Sequence, residues 1–267
     1  MPKFSPEILI AIKAAIKASV EIKKIYSKDF LLQFRDGNPV SEADTVSNKI
    51  IKKFLSKTEI DIFSEEDLDN FSRLSKRKIW IIDPLDGTLD FINRTGEFSI
   101  IIGLVENKIS VGGVIYKPIG DTLYVAEKNK GAYRCKDKIW DKISVSSISE
   151  LVEARVVMSR HHLSTEDKEF LSHLKINNYI QCGSCGLKAA SIAEGKAELY
   201  FTSTNKIKQW DTCAASCLIA EAGGEITDMF GQSLVYNIKK NNHDNGILVS
   251  NGIIYQEVIN KLKILQK

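Results

Sequence analysis

Residues 80–91 read WIIDPLDGTLDF, and no other stretch limits the possible fold as strongly. Trp80, Ile81 and Ile82 form an apolar run of the kind found in a buried strand. They lead straight into Asp83, with Asp86 three residues later and Gly87-Thr88 behind it. Two answers account for acids in that position. D-P-L-D is a good turn, because Asp suits its first position, Pro presets φ at the second and Gly ends the reversal. The same residues also describe a metal and phosphate site. Asp83 leaves the strand end, the turn returns Asp86 beside it, and the Leu85 carbonyl becomes a neutral oxygen ligand. An oxygen-only cluster of this type suits Mg²⁺. Gly87 lets an oxyanion approach the backbone. Thr88 opens a helix whose first N–H groups face that anion.

Deciding between the two requires the rest of the chain. Its 267 residues allow one large unit with a sizeable core and no need of disulfides. A net charge of +3 fits a small anionic substrate and not a nucleic-acid polymer, which would require a concentrated basic face. The apolar N-terminal stretch ILIAIKAAIKASVEI is broken by Lys13 and Lys17, so it reads as an amphipathic helix, neither transmembrane nor a signal peptide. Ser5 and Pro6 start that helix, and Leu9, Ile12, Ile16 and Val20 line one face. A cytoplasmic location follows as the default. The lysines of this helix form a solvated face, or at most a peripheral contact with the inner membrane face. Of five cysteines, Cys182/Cys185 and Cys213/Cys217 are spaced as pairs. A four-cysteine zinc site is conceivable, but a cysteine on an apolar helix usually serves as a small hydrophobe.

Helices are expected over roughly 6–26 and 42–55. Strands are expected at 60–66 and at WIIDP, followed by three strands (98–106, 109–118, 122–128) separated by short polar turns. That run is an antiparallel meander. From ARVVMSR at 154 onward, strands and helices alternate, which is α/β layering. No linker divides the chain. The expectation is one unit over 1–267, with an α+β half to about 131 and an α/β half over about 132–267.

Several further carboxylates fall at element ends: Glu65 and Glu66 after IDIFS, Asp211 at the start of WDTCAAS, and Asp44 in the first turn of a helix. Helix capping would explain Asp44 or Asp211 singly. One shared site explains them all more economically. Two cations about 3.5–4 Å apart can clamp the attacking and leaving oxygens of a phosphate ester, and Asp83 is suited to bridge them. No serine or cysteine stands in a nucleophile-elbow context. Water is therefore the expected nucleophile, activated by metal and a hydroxyl–carboxylate pair.

SEE (64–66), WIIDPLDGT (80–88) and WDTCAASCLIAEAGG (210–224) resemble the three signature motifs of the lithium-sensitive, magnesium-dependent phosphatase superfamily. That superfamily includes inositol monophosphatases, fructose-1,6-bisphosphatases and 3′(2′),5′-bisphosphate nucleotidases. The resemblance implies a layered αβαβα sandwich and two Mg²⁺. Glu65, Asp83 and the Leu85 carbonyl would hold the first ion, and Asp83, Asp86 and Asp211 the second. Thr88, oriented by Asp44, would polarise the attacking water. The Gly87 and Thr88 amides would receive phosphate oxygens. Glu66 is assigned to a water or a third cation.

Between the motifs, FINRTGEFSI (91–100), Asp90, SRHH (159–162) and Lys188 resemble the nucleotidase branch of the bacterial sulfur-assimilation (CysQ) type. This implies contacts from Ser159, His162, Gly183 and Lys188 to a small-molecule nucleotide, with Lys188 on a second phosphate. Adenosine 3′,5′-bisphosphate, hydrolysed to AMP and phosphate, is the expected substrate, and inositol monophosphate or another sugar phosphate is the alternative. Two features depart from that branch: the GSCGLK loop has the length found in inositol monophosphatases, and His161 replaces a serine. A dead phosphatase kept for regulation would lack a ligand, and none is missing. A monomer or homodimer is expected.

Overall fold

The structure is a computed structural model and describes residues 2–35, 38–176 and 179–265. Helix α1 spans Pro6–Tyr26, with Pro6 in its first turn and the Ser5 hydroxyl accepting from the Ile8 amide. Its buried face differs from the expected one. Ile8, Ala11, Ile12, Ala15, Ala18 and Ile22 are inside, whereas Ile16 and Val20 are 44% and 37% exposed. Small side chains decide this, since the alanines let the helix axis come close to its neighbours where a larger face would hold it off. Strands β1 (Leu32–Arg35) and β2 (Asn38–Ser41) form an antiparallel pair that the sequence reading did not foresee. They lead into α2 (Glu42–Leu55).

Next come β3 (Asp61–Ser64), β4 (Lys78–Asp86), α3 (Thr88–Ile92), β5 (Ser99–Glu106), β6 (Ile109–Lys117) and β7 (Thr122–Glu127). The meander continues through β8 (Gly131–Lys136) and β9 (Ile139–Ile143), so the expected division at 131 falls inside a sheet. Together β3 to β9 make a seven-stranded sheet in chain order, antiparallel except for the parallel β3–β4 pair. The second part comprises β10 (Val156–Ser159), α4 (Thr165–His173), β11 (Tyr179–Cys182), α5 (Cys185–Ala193) and β12 (Leu199–Thr202). It closes with α6 (Gln209–Ala222), β13 (Glu225–Thr227), β14 (Ile247–Ser250) and α7 (Tyr255–Leu265). Asn178, expected at the start of β11, lies outside the described residues. The five-stranded sheet runs β11-β10-β12-β14-β13, parallel across β10 and antiparallel on both sides of β14.

Three apolar layers hold these parts as an αβαβα sandwich. Residues of α1 and α2 pack on one face of the larger sheet. Helices α5 and α6 fill the space between the two sheets. Helices α4 and α7 cover the outer face of the smaller sheet. Close approach in the middle layer depends on glycine. A Cβ on Gly103 of β5 would sit 2.2 Å from Cys213 Sγ, and one on Gly113 of β6 would sit 2.3 Å from the Ala214 carbonyl oxygen. Cys213 and Cys217 are therefore packing residues, as expected for cysteines on an apolar helix. All five cysteines are free thiols. Among the described residues no helix is long and apolar enough to cross a membrane.

Candidate active site

The D-P-L-D segment is not a turn. Strand β4 continues through it to Asp86, still paired with β5, and the register shifts between Asp83 and Asp86. This bulge turns both acids and the Leu85 carbonyl towards one side while the strand keeps its partner. The Asp83 carboxylate accepts from the Leu85 amide at 2.9 Å, which braces the bulge from within. Gly87 follows at φ 93°, a conformation open to glycine, and caps α3, so Thr88 is the first helical residue.

Behind Thr88 stands Asp44. Its Oδ2 accepts from the Ser41 amide at 2.7 Å and the Ser41 hydroxyl at 2.6 Å, closing a capping box on α2. Its Oδ1 is left for the Thr88 hydroxyl, at 3.1 Å, which lies equally near the Leu85 carbonyl oxygen. Capping of α2 and a hydrogen bond to the Thr88 hydroxyl thus coexist in one side chain. Burial pushes the Asp44 carboxyl up to about 6, against hydrogen bonds from Ser41 that lower it.

A cavity of about 440 Å³ opens in front of these groups. Glu65, Asp83, Leu85, Asp86 and Asp211 line it together with Gly87 and Thr88, although they come from three separate segments of the chain. Ser159, His162, Gly183 and Lys188 line the same cavity from the smaller sheet and α5. The residues expected in the site are therefore at the cavity wall, except Asp44, which stands behind Thr88, and Glu66, which follows Glu65 but is not part of the lining. Glu65 is exposed as a residue at the cavity mouth, yet its carboxyl head is enclosed by acids. Burial and the Asp211 charge push it up to about 8. Burial and the neighbouring acids likewise raise Asp83 well above the usual carboxylate range and Asp211 to about 7.

These donors have the chemistry of a magnesium site: four carboxylates and a carbonyl, all hard oxygens, with the charge of a divalent cation needed to keep the carboxylates ionised. Even so, among the described residues no three His, Cys, Asp or Glu side chains already stand in ligating positions around one point. Their present hydrogen bonds explain why. Asp211 closes its own helix by accepting from the Lys208 amide at 2.7 Å. Asp86 reaches the N terminus of α5, accepting from the amides of Cys185 (3.0 Å) and Gly186 (2.9 Å) and from the hydroxyls of Ser99 and Ser184. The residues fit the ion in kind.

The sequence reading missed the contacts that tie these parts together. Asp90 of α3 is fully buried and accepts from His161 Nε2 at 2.8 Å and from the Thr95 hydroxyl at 2.7 Å. Arg160 bridges Asp90 and Glu97. His161, just after β10, therefore ties the end of that strand to α3. Gly183 makes this junction possible, because a Cβ there would lie 1.6 Å from Asp90 Oδ2. Gly183→Ala should displace Asp90 and cost about 1–3 kcal/mol, as for other overpacked sites. Thermal melting measures it, and a variant with the wild-type midpoint would show that the junction yields freely.

Also unforeseen is the segment from Thr202 to Lys208. Thr204, Asn205, Lys206 and Lys208 line the cavity, and Asn242 joins them from a distant loop. Their signal was local: a polar stretch, TSTNKIKQ, directly before the W-D pair. Lys188, by contrast, is 2% exposed, and its Nζ donates to the carbonyls of Gly183 (3.0 Å) and Cys182 (3.3 Å) over the Tyr200 ring.

Comparison with known proteins shows what this chain is similar to. The model of the inositol monophosphatase family matches residues 5–267. A protein named 3′(2′),5′-bisphosphate nucleotidase CysQ, from Aggregatibacter actinomycetemcomitans, is 34% identical over 231 residues, covering 85% of this chain and 86% of the relative. Among solved structures, the extragenic suppressor protein suhB of Bartonella henselae superposes with a TM-score of 0.84 at 26% identity, covering 97% of this chain and 99% of that one. CysQ of Bacteroides thetaiotaomicron, described as a bacterial member of the inositol monophosphatase family, superposes with a TM-score of 0.80 at 30% identity, covering 93% and 98%.

Proposed function

This chain belongs to the inositol monophosphatase family, and on that premise we propose that it is a phosphomonoesterase that hydrolyses the 3′-phosphate of adenosine 3′,5′-bisphosphate to give AMP and phosphate. The observation that carries the chemistry is the Thr88–Asp44 hydrogen bond opening on an acid-lined cavity. Glu65, Asp83, the Leu85 carbonyl, Asp86 and Asp211 would hold Mg²⁺, which would supply activation of water and neutralisation of the phosphate's charge.

The chain's own residues supply the rest. Thr88 Oγ1 takes a proton from the attacking water and passes its own to Asp44 Oδ1. A carboxyl raised to about 6 is well matched to act as base near neutral pH. The amides of Gly87 and Thr88 receive phosphate oxygens, and Ser159, His162, Gly183 and the 202–208 segment hold the nucleoside side. Kinship with CysQ relatives at 34% identity supports the nucleotide as substrate. The proposed compartment is the cytoplasm, where the five free thiols stay reduced.

The test is a phosphate-release screen with Mg²⁺ over adenosine 3′,5′-bisphosphate, 3′-phosphoadenylyl sulfate, inositol 1-phosphate and fructose 1,6-bisphosphate. The highest kcat/KM is expected on adenosine 3′,5′-bisphosphate. Preference for inositol 1-phosphate would replace the substrate assignment with the alternative and leave the metal chemistry standing. Release from none of the four would overturn both.

A further inference from the structure

We propose that Lys206 is the cation that anchors the second, uncleaved anionic group of the substrate, a phosphate or sulfate ester on the nucleoside; this deepens the nucleotidase reading and rests on it. A bisphosphorylated substrate places one phosphate against the acid cluster. Its other anion needs a positive group that is not already occupied. Three lysines line the cavity. Lys188 is buried, and its ammonium is committed to the Cys182 and Gly183 carbonyls, where it secures the loop leading into α5. Lys208 donates from Nζ to the Asn242 side chain at 2.7 Å. Lys206 is exposed at the cavity wall, and among the described residues it forms no ion pair or side-chain hydrogen bond.

The backbone around Lys206 is nonetheless fixed. Asn242 Nδ2 donates to the Asn205 carbonyl at 2.7 Å, and the His243 amide donates to the Ile207 carbonyl at 2.9 Å. Thr202 Oγ1 accepts from the Thr204 amide at 3.4 Å on the other side. A flexible cation on a pinned loop suits an anion whose position varies little. His162 stands close enough for the Lys206 charge to help hold its imidazole below the usual range, after burial. An arriving dianion would relieve that repulsion, so the two residues form one receptive corner. Lys206 would thus contact substrate, whereas Lys188 acts through the loop it supports.

Steady-state kinetics with Mg²⁺ on adenosine 3′,5′-bisphosphate and on 3′-AMP, which lacks the second phosphate, test this. Lys206→Met should lower kcat/KM for the bisphosphate about tenfold, carried by KM, with less than about twofold change on 3′-AMP, given the usual worth of a charge-assisted contact. Lys206→Arg should restore most of the loss, and added salt should shrink the difference. Lys188→Met should lower the melting temperature and affect both substrates alike, because two buried carbonyls lose their donor. An unchanged substrate ratio in Lys206→Met, or a ratio change confined to Lys188→Met, would overturn the proposal and leave the nucleotidase reading intact. Wild-type protein with no preference for the bisphosphate over 3′-AMP and inositol 1-phosphate would overturn both before any variant is made.

Discussion

Asp83→Asn should fold, lose nearly all activity and, in chelator at pH 8, melt higher than the wild type. The loss of rate follows from its proposed role: Asp83 would be a ligand shared between the divalent ions, and a neutral amide would not replace its charge there. Removing one oxyanion-hole donor in other hydrolases costs about 10²–10³-fold. Loss of a shared ligand should exceed that. The gain in metal-free stability follows from the electrostatics. Asp83 is buried beside Glu65, Asp86 and Asp211, and burial together with their charge raises its carboxyl well above the usual range. An asparagine removes that repulsion and can still accept from the Leu85 amide, which Asp83 meets at 2.9 Å. Rate and melting temperature, measured on one preparation, separate this from misfolding. Wild-type turnover in Asp83→Asn would show that the site is misplaced.

Metal removal should abolish activity and invert the pH dependence of stability in the usual working range. Glu65 is raised from 4.5 to about 8 and Asp211 from 3.8 to about 7, both mainly by burial. The folded metal-free protein then holds protons that the unfolded chain has already released. Its stability is greatest below the unfolded values, near pH 4, and falls as pH rises through 7 to 8. The slope is about 1.4 kcal/mol per pH unit for each excess proton. Mg²⁺ binds the ionised carboxylates, so its stabilisation should be small at pH 5 and large at pH 8. At a hundred times its dissociation constant the ion contributes about 2.7 kcal/mol. Melting curves in chelator and in Mg²⁺ across pH 5–8 measure this. A metal-free protein that gains stability from pH 5 to 8, or one indifferent to Mg²⁺ at pH 8, would contradict the assignment.

Elements were legible where a pattern repeats along the chain. Helix α1 starts at Ser5-Pro6 and α2 covers 42–55 because caps and apolar spacing are local signals. The strands of the meander alternate with short polar turns for the same reason. Strands β8 and β9 were missed because GAYRCK and IWDKI are short and only partly buried, so neither has a continuous apolar run. The acidic site was legible because carboxylates at several element ends share one explanation more readily than separate ones.

Sequence alone therefore determined which acids stand at the element ends that meet at the cavity. Tertiary structure decided how each charge is met. Asp86 is met by amides of Cys185 and Gly186, about a hundred residues away in the chain. Asp90 is met by His161 and pressed against Gly183. Lys188 turns to carbonyls of its own loop while Lys206 stays open to the cavity. Local sequence patterns reach over one or two turns of backbone. Electrostatic partners are chosen by proximity after the sheets and helices stack, and stacking here brings the end of β4, the start of α5 and the approach to α6 to a single cavity wall.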